Sequence, residues 1–490
     1  MTIFETSFEV CNPVGGIHTV VSSKAPTLLK EYENVYMFGP LLEHSYNHFT
    51  PSKTLLKKWK DDMLKKAGIK VEVGYWDLPC KPVTILVDFS HLWEKKDEIY
   101  GHFWEEFGVQ SHAAVNDYDQ CAMFGYAVGQ AMESLYHFLH KEKPQDKDYI
   151  AQFHEWQTAF GLLYLKDKCR PIRTVFTTHA TGIGRSIAFN NKPLYDCFEG
   201  FNGDQMANEL GFVSKHSVEK TAAHQADCFT TVSDGMAREC QQLLEKKVDV
   251  VTPNGFNSSI VTKGEDYDKV RANARKLLQK YARSKGIRVA SKDTLVCISG
   301  RAEWKNKGID IFLHAIEKLD YQLSSKQRII AFVLVPYLYM EDRVYNNTTV
   351  LFVSDFLDGT DPFFKVPYYD LLIGMDLTVF PSYYEPWGYT PLESIAFHVP
   401  TITTSLAGFG QWALAHDSGT IEKGVEVVER HDSNYWDVVE KVVQTILKFL
   451  HFSDKEKEQI AQKANKLAVL ADWSKMFVHY KEAYKIALKK

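Results

Sequence analysis

The sequence predicts an α/β chain made of two doubly wound, Rossmann-like domains. Short apolar runs of the kind that form buried parallel strands alternate with amphipathic helical stretches along most of the chain. A charged, helix-like segment, Asp266 to Lys285, interrupts the alternation, which starts again at Thr294. Polar residues collect just after the apolar runs, at the strand ends where open α/β sheets bind ligands. With 490 residues, 45% hydrophobic and 24% charged, the chain can supply two domains of more than about 200 residues, each with its own core. A formal charge of −5 over that length speaks against a polyanion-binding surface, so nucleic acid is not an expected partner. The eight cysteines are scattered and form no CxxC pair, as reduced thiols would be. No basic and apolar amino-terminal signal is seen, and no apolar run nears the roughly twenty residues of a membrane span. The expectation is a cytoplasmic protein with no membrane partner.

In the first domain, Ile3 to Val10 reads as a strand that runs into Asn12-Pro-Val-Gly15-Gly16, and Val20 and Val21 open a helix. A glycine pair at such a turn lets backbone amides approach a ligand, and it also serves simply as a tight turn. Val35 to Phe38 and Val83 to Asp88 are further apolar runs, and Lys57 to Lys66 has the look of a solvated helix face. Cys121 to Leu139 is a helix whose buried face holds Phe124, Ala127, Val128, Ala131, Leu135 and Phe138. The following strands end in chemistry. Tyr149 to Phe153 stops at His154-Glu155-Trp156, and Thr174 to Thr178 at His179-Ala-Thr181-Gly-Ile-Gly184-Arg185. Cys228 to Val232 stops at Ser233, and Val248 to Val251 at Thr252-Pro-Asn254-Gly255. Several strands delivering His, Arg and Asn to one edge have the layout of a cleft.

In the second domain, the strand Thr294 to Ile298 is followed by a turn carrying Gly300, Arg301, Lys305, Lys307 and Gly308, then by a helix with Ile309, Phe312, Leu313, Ile316 and Leu319 at helical spacing. Two cations, Arg301 and Lys307, beside the amides of such a turn suit a pyrophosphate and would neutralise a leaving diphosphate without a metal. Strands follow at Ile329 to Val335 and Val350 to Val353. The short run Leu377 to Phe380 then opens the loop FPSYYEPWGYTPLE, Phe380 to Glu393. It places Glu385 on the loop and Glu393 in the first turn of a helix running from Leu392 to Phe397, so two acids can meet different parts of one extended ligand. Thr401 to Thr404 leads into Gly408-Phe-Gly410. Two amphipathic helices, Trp436 to Leu450 and Ser453 to Leu470, come next, the latter started by a Ser453/Glu456 capping box. A last helix, Asp472 to Leu488, gathers Trp473, Met476, Phe477, Tyr480, Tyr484 and Leu488 near one stripe. No His/Cys cluster has metal-ligand spacing.

Taken together, Val14 to Ile17, Phe153 to Trp156, Phe176 to Thr181 with Gly184-Arg185, Phe229 to Ser233, Val251 to Gly255, Gly300-Arg301 with Asn306 to Gly308, Ser382 to Pro391 and Asp472-Trp473 form an ordered set of motifs. In these the sequence resembles the glycogen synthases of the animal and fungal type, over nearly its whole length. The resemblance implies a retaining glucosyltransferase of GT-B fold, with two Rossmann-like domains facing across a cleft. Residues 1–265 would form the acceptor and sugar side, residues 266–470 the nucleotide-sugar domain, and residues 471–490 a helix crossing back to the first domain. The implied reaction transfers glucose from a nucleotide-glucose donor, UDP-glucose favoured, to the non-reducing end of an α-1,4-glucan such as glycogen. No cofactor and no metal are implied.

The same resemblance assigns catalytic roles to Glu385, His154, Arg301 and Lys307. Glu385 would stand beside the anomeric carbon, Arg301 and Lys307 would hold the donor diphosphate, and His154 and Arg185 would line the sugar and phosphate side. Gly15 and Gly16 would offer amides to the donor, Trp387, Gly388 and Tyr389 would complete its loop, and Glu393 would lie near the ribose. Tyr368, or the adjoining Tyr369, would set a ring against the base. Because these groups come from both domains, closure on ligand binding is expected. Two departures stand out. Relatives of this type carry an arginine-rich helix that senses glucose 6-phosphate, whereas Lys455 to Lys466 has lysines and no arginine. They also carry a long helical insertion that supports tetramers, and only Tyr337 to Thr348 occupies that place, which leaves a homo-oligomer open. Other readings are a sucrose- or trehalose-type acceptor, an ADP-glucose donor, or a catalytically silent glycogen-binding protein.

Overall fold

The computed structural model describes residues 1–114, 117–142, 147–261 and 265–490, without the side chain of residue 265. Its backbone divides into two units, Met1–Asn190 with Cys197–Gly255 and Trp473–Lys490, and Asn191–Asp196 with Phe256–Asp472. The junction expected at 265 borders residues 262–264, which lie outside the described ones.

The first unit is built on strands β1 (Thr2–Thr6), β2 (Asn34–Pro40), β3 (Phe49–Pro51), β4 (Val71–Trp76), β5 (Val83–Val87), β6 (Tyr149–His154), β7 (Ile172–Thr178), β8 (Cys228–Thr231) and β9 (Val250–Val251). They form one sheet in the order β3-β4-β5-β2-β1-β6-β7-β8-β9, parallel except at the β3–β4–β5 edge. The central strands β1 and β6 are buried at every position, as befits strands covered on both faces. β1 is shorter than the run Ile3 to Val10 because Ser7 turns the chain: its side chain accepts the Glu9 amide and its carbonyl the Val10 amide. The helix Tyr118–Glu142 buries Phe124, Ala127, Val128, Ala131 and Leu135 in the same core as Phe4, Phe38, Phe153 and Phe176. The terminal helix Trp473–Lys489 also belongs to this unit. It buries Trp473, Phe477, Tyr480 and Tyr484, and its Trp473 Nε1 donates to Ser23 Oγ at 2.8 Å.

The second unit holds β10 (Thr294–Ser299), β11 (Ile329–Leu334), β12 (Arg343–Val344), β13 (Thr348–Val353), β14 (Leu377–Val379), β15 (Thr401–Thr404) and β16 (Val425–Val428). Their order is β12-β13-β11-β10-β14-β15-β16, parallel apart from the β12–β13 edge. Val296, Ile298, Phe312, Ile316, Val333, Ile402, Val442 and Ile446 share its core.

Both sheets reverse direction at their middle. In the first, the chain leaves β1 toward β2 and β5, then returns to β6 on the other side and runs outward to β9. In the second, it leaves β10 toward β11 and β13, then returns to β14 and runs outward to β16. Loops after β1 and β6, and after β10 and β14, therefore diverge and leave a crevice at the carboxyl edge of each sheet. Among the described residues, no helix is long and apolar enough to cross a membrane.

Candidate active site

The crevice of the second unit collects most of the expected donor residues. β10 and β14 pair in parallel, with Val296 opposite Leu377, so the loops leaving them start side by side before they part. Two devices draw them together. Gly308 sits at φ +71, and a Cβ there would stand 2.0 Å from the Pro381 carbonyl oxygen, so only glycine allows this approach. The Asn306 carbonyl accepts the amides of Tyr383 and Tyr384 at 2.9 and 3.2 Å. The result is a salt bridge between the Lys307 ammonium and Glu385 Oε2, with both side chains mostly buried. Arg301 remains on the rim, 54% exposed and 2.9 Å from Glu303 Oε1.

Glu393 is placed differently from the expectation. Gly388, at φ +112, caps a helix that spans Tyr389–Ala396, so the helix begins before Leu392 and Glu393 lies beyond its first turn. Pro391 could not signal this start, because a proline is tolerated in a first turn as readily as in a loop. The Glu393 carboxyl is 7% exposed and accepts the Tyr369 hydroxyl at 2.7 Å, and burial raises its pKa to about 7 despite that bond. Tyr369 also stacks on Phe397, with ring centres 5.1 Å apart, whereas the Tyr368 hydroxyl pairs with Ser299 Oγ at 2.7 Å at the end of β10. Tyr389 is half-buried at the start of the helix. The Trp387 ring is buried against Phe409 and Trp412, so this residue shapes the loop from behind.

One residue of this crevice carries no motif signal. Arg430, buried beyond β16, donates from Nη1 to the Pro381 carbonyl, and burial lowers its pKa to about 10. It pins the carbonyl against which Gly308 packs.

The crevice of the first unit is built on a buried chain of charges and imidazoles. Lys24 Nζ lies 2.6 Å and His154 Nε2 2.7 Å from Glu5 Oε1, and His154 Nδ1 is 2.9 Å from His179 Nε2. His154 is wholly buried with both ring nitrogens engaged, so it cannot touch a ligand as expected of a catalytic residue. Of the two, His179 is the one that keeps some exposure, 8% against none for His154.

The glycine turn is likewise already partnered. Glu9 Oε2 accepts the amides of Gly15 and His18 at 2.9 and 2.7 Å, a carboxylate at the start of the helix Gly16–Glu31. Gly16 is exposed at its first turn. Arg185, on the helix Gly182–Phe189, lies among buried acids. Glu155 accepts the His179 and Ala180 amides at 2.9 and 3.1 Å, and Glu219 accepts the Gly182 amide at 2.9 Å. Burial pushes Glu155 up to about 7 against the pull of Arg185, and burial with the nearby Glu155 pushes Glu219 well above the usual range. These acids tie down the turn that presents His179 and Arg185.

A family model described as glycogen synthase matches residues 5–341 and 337–490, which is nearly the whole chain. The chain belongs to the glycogen synthase family. Its relatives include the liver glycogen [starch] synthase of Rattus norvegicus, 28% identical over 592 aligned positions that cover all of this chain and 83% of the relative. Isoform 2 of the Saccharomyces cerevisiae enzyme is 26% identical, covering all of this chain and 86% of its own length, and the Dictyostelium discoideum enzyme is 28% identical, covering 66% of its own. This chain is shorter than these relatives. Among solved structures, the catalytic domain of starch synthase IV from Arabidopsis thaliana, bound to ADP and acarbose, aligns over 100% of this chain and 99% of its own. The TM-score is 0.63 at 15% identity. A trehalose-6-phosphate protein from E. coli bound with UDP-2-fluoro glucose aligns at TM-score 0.55 and 12% identity, covering 99% of both chains. The fold is therefore GT-B, and the protein is a glycosyltransferase.

Proposed function

We propose that this protein transfers glucose from a nucleotide-glucose donor, UDP-glucose in preference to ADP-glucose, to the non-reducing end of an α-1,4-glucan with retention of configuration. The observation that carries the reading is the Lys307–Glu385 pair at the sheet reversal of the second unit, in a chain that matches the glycogen synthase family over nearly its whole length. A diphosphate entering beside the 301–308 turn competes with Glu385 for the Lys307 ammonium. Lys307 and Arg301 then meet the negative charge that grows on the leaving nucleoside diphosphate, the place where preorganised cations lower a barrier most. Glu385, released from its partner, faces the oxocarbenium-like sugar. Glu393 and Tyr368 or Tyr369 serve the nucleoside. In the first unit His179 and Arg185 serve the sugar side, with His154 behind them. The cations do the work a metal would do, so the reaction runs in the presence of a chelator, in the cytoplasm and without a nucleic-acid or membrane partner.

The decisive experiment offers radiolabelled UDP-glucose and ADP-glucose side by side, with glycogen, fructose 6-phosphate, glucose 6-phosphate and buffer alone as acceptors. Label passing from UDP-glucose into glycogen is expected. Transfer to a small sugar would replace the acceptor, preference for ADP-glucose would replace the donor, and no nucleotide release with any acceptor would support a silent binding protein.

A further inference from the structure

The buried chain in the first unit fixes more than the position of its members. Glu5 lies on β1 in the sheet centre, wholly buried, and Lys24 and His154 both converge on its Oε1. Lys24 is held on its other side 4.1 Å from the ring centre of Tyr480, on the terminal helix. We propose that Glu5 and Lys24 act through His154 as positioning residues that lock His179 in one tautomer. In it Nε2 carries the proton and Nδ1 is presented as a pure hydrogen-bond acceptor for a neutral hydroxyl group. That the hydroxyl belongs to a sugar rests on the function proposed above.

Burial alone would raise the pKa of Glu5, but Lys24 and His154 together hold it at about 2, so the carboxylate has no proton to give. Burial holds both imidazoles neutral, and each ring therefore carries one proton. His154 Nε2 must donate to Glu5, which leaves His154 Nδ1 bare. His179 Nε2 must then donate to His154, which leaves His179 Nδ1 bare in turn. No other hydrogen bond reaches the His179 ring among the described residues, since Glu155 takes only its backbone amide. Arg185 adds to the charges that disfavour a second proton on His179. A bare nitrogen accepts from a hydroxyl and repels a phosphate or carboxylate oxygen, which brings only lone pairs. The β7 strand end thus selects the uncharged part of a ligand, while the cations of the protein take its anionic part.

The test uses the full chain labelled with 15N-histidine, free of substrate, and reads ring nitrogen shifts by two-bond 15N–1H correlation. The two rings among eighteen histidines are assigned by their loss in His154→Gln and His179→Gln. Protonated Nε2 with bare Nδ1 in both rings is expected. A proton on His179 Nδ1, or an imidazolium at neutral pH, overturns the proposal whether or not the double variant of the second arm folds. In the second arm, Glu5→Gln with Lys24→Met removes the charges but keeps the volume. A carboxamide can donate or accept, so both tautomers become accessible. Mixed tautomers are expected, with kcat/KM falling about 10- to 100-fold as a donor comes to face a donor, while nucleoside diphosphate affinity holds. Unchanged tautomers or unchanged kinetics in a folded double variant would overturn the relay. A protein that transferred no glucose at all would defeat the proposed function and leave the tautomer measurement standing.

Discussion

Glu385 and Lys307 neutralise each other in a mostly buried pair, so altering one leaves the other uncompensated. Glu385→Gln removes the charge and keeps the shape. Turnover should fall by about 100-fold or more, as when an electrostatic group at a reacting centre is lost, and nucleotide affinity measured by calorimetry should hold or rise, since the diphosphate no longer competes with a carboxylate for Lys307. A fully active Gln enzyme would exclude the role. Glu393 supplies a pH prediction. Its folded pKa, about 7, lies above the ordinary 4.5, so the folded state binds more protons than the unfolded state between those values. Its contribution to stability is fully present below about pH 4.5 and is lost as pH rises through about 7. Urea midpoints across that window should decline less steeply in Glu393→Gln than in the native protein; parallel curves would refute the assignment. At this scale the turns that carry Arg301, Lys307 and Glu385 were legible because each follows an apolar strand and precedes a helix. Glu5 and Lys24 were not, since one charged residue in a short strand or a helix carries no pattern until the fold brings its partner to it. His154 misled for the same reason: its motif marks the strand end, and the burial that removes it from ligand contact is a tertiary fact.

Among the elements, most parallel strands and several long helices were readable and most sheet edges were not. β10, β11 and β13 are continuous apolar runs because both faces are covered. β3, β12 and the final strand β16 lie at sheet edges or are only a few residues long, and β4, an antiparallel neighbour of β5, sits inside a polar stretch. Arg430, just past β16, was hidden with its strand. Local chemistry was legible where it is complete within one turn. Ser453 and Glu456 form the reciprocal cap that starts the helix Asp454–Leu470: the Ser453 amide donates to Glu456 Oε2 at 2.8 Å, and the Glu456 amide donates to Ser453 Oγ at 3.4 Å. Ser453→Ala should cost about 1 kcal/mol, a fall of about 2 to 4 °C in the melting temperature of a unit this size. Calorimetry that shows no fall would mean the cap is frayed in solution.

For the whole molecule, the outstanding matter is regulation. In the family that the sequence resembles, an arginine-rich helix near the carboxyl end senses glucose 6-phosphate. Here the helix Asp454–Leu470 carries Lys455, Lys457, Lys463 and Lys466 and no arginine. Two of these lysines have partners of their own: Lys463 Nζ donates to the Glu422 carbonyl at 3.0 Å, and Lys457 Nζ lies 5.5 Å from the ring centre of Phe449. Lysine is a point charge without the planar fork that grips a phosphate through two bonds, so an exposed lysine row holds a sugar phosphate weakly. An effector shifts activity only by as much as it prefers one state over another. We therefore expect glucose 6-phosphate to change kcat/KM by less than about twofold, against the roughly 5- to 150-fold usual for allosteric coupling. The measurement is a titration of the sugar phosphate at fixed donor and glycogen, repeated with Lys457→Ala and Lys463→Ala. A several-fold activation that disappears in those variants would show that the lysines have taken over the arginines' work, and the expectation would fall.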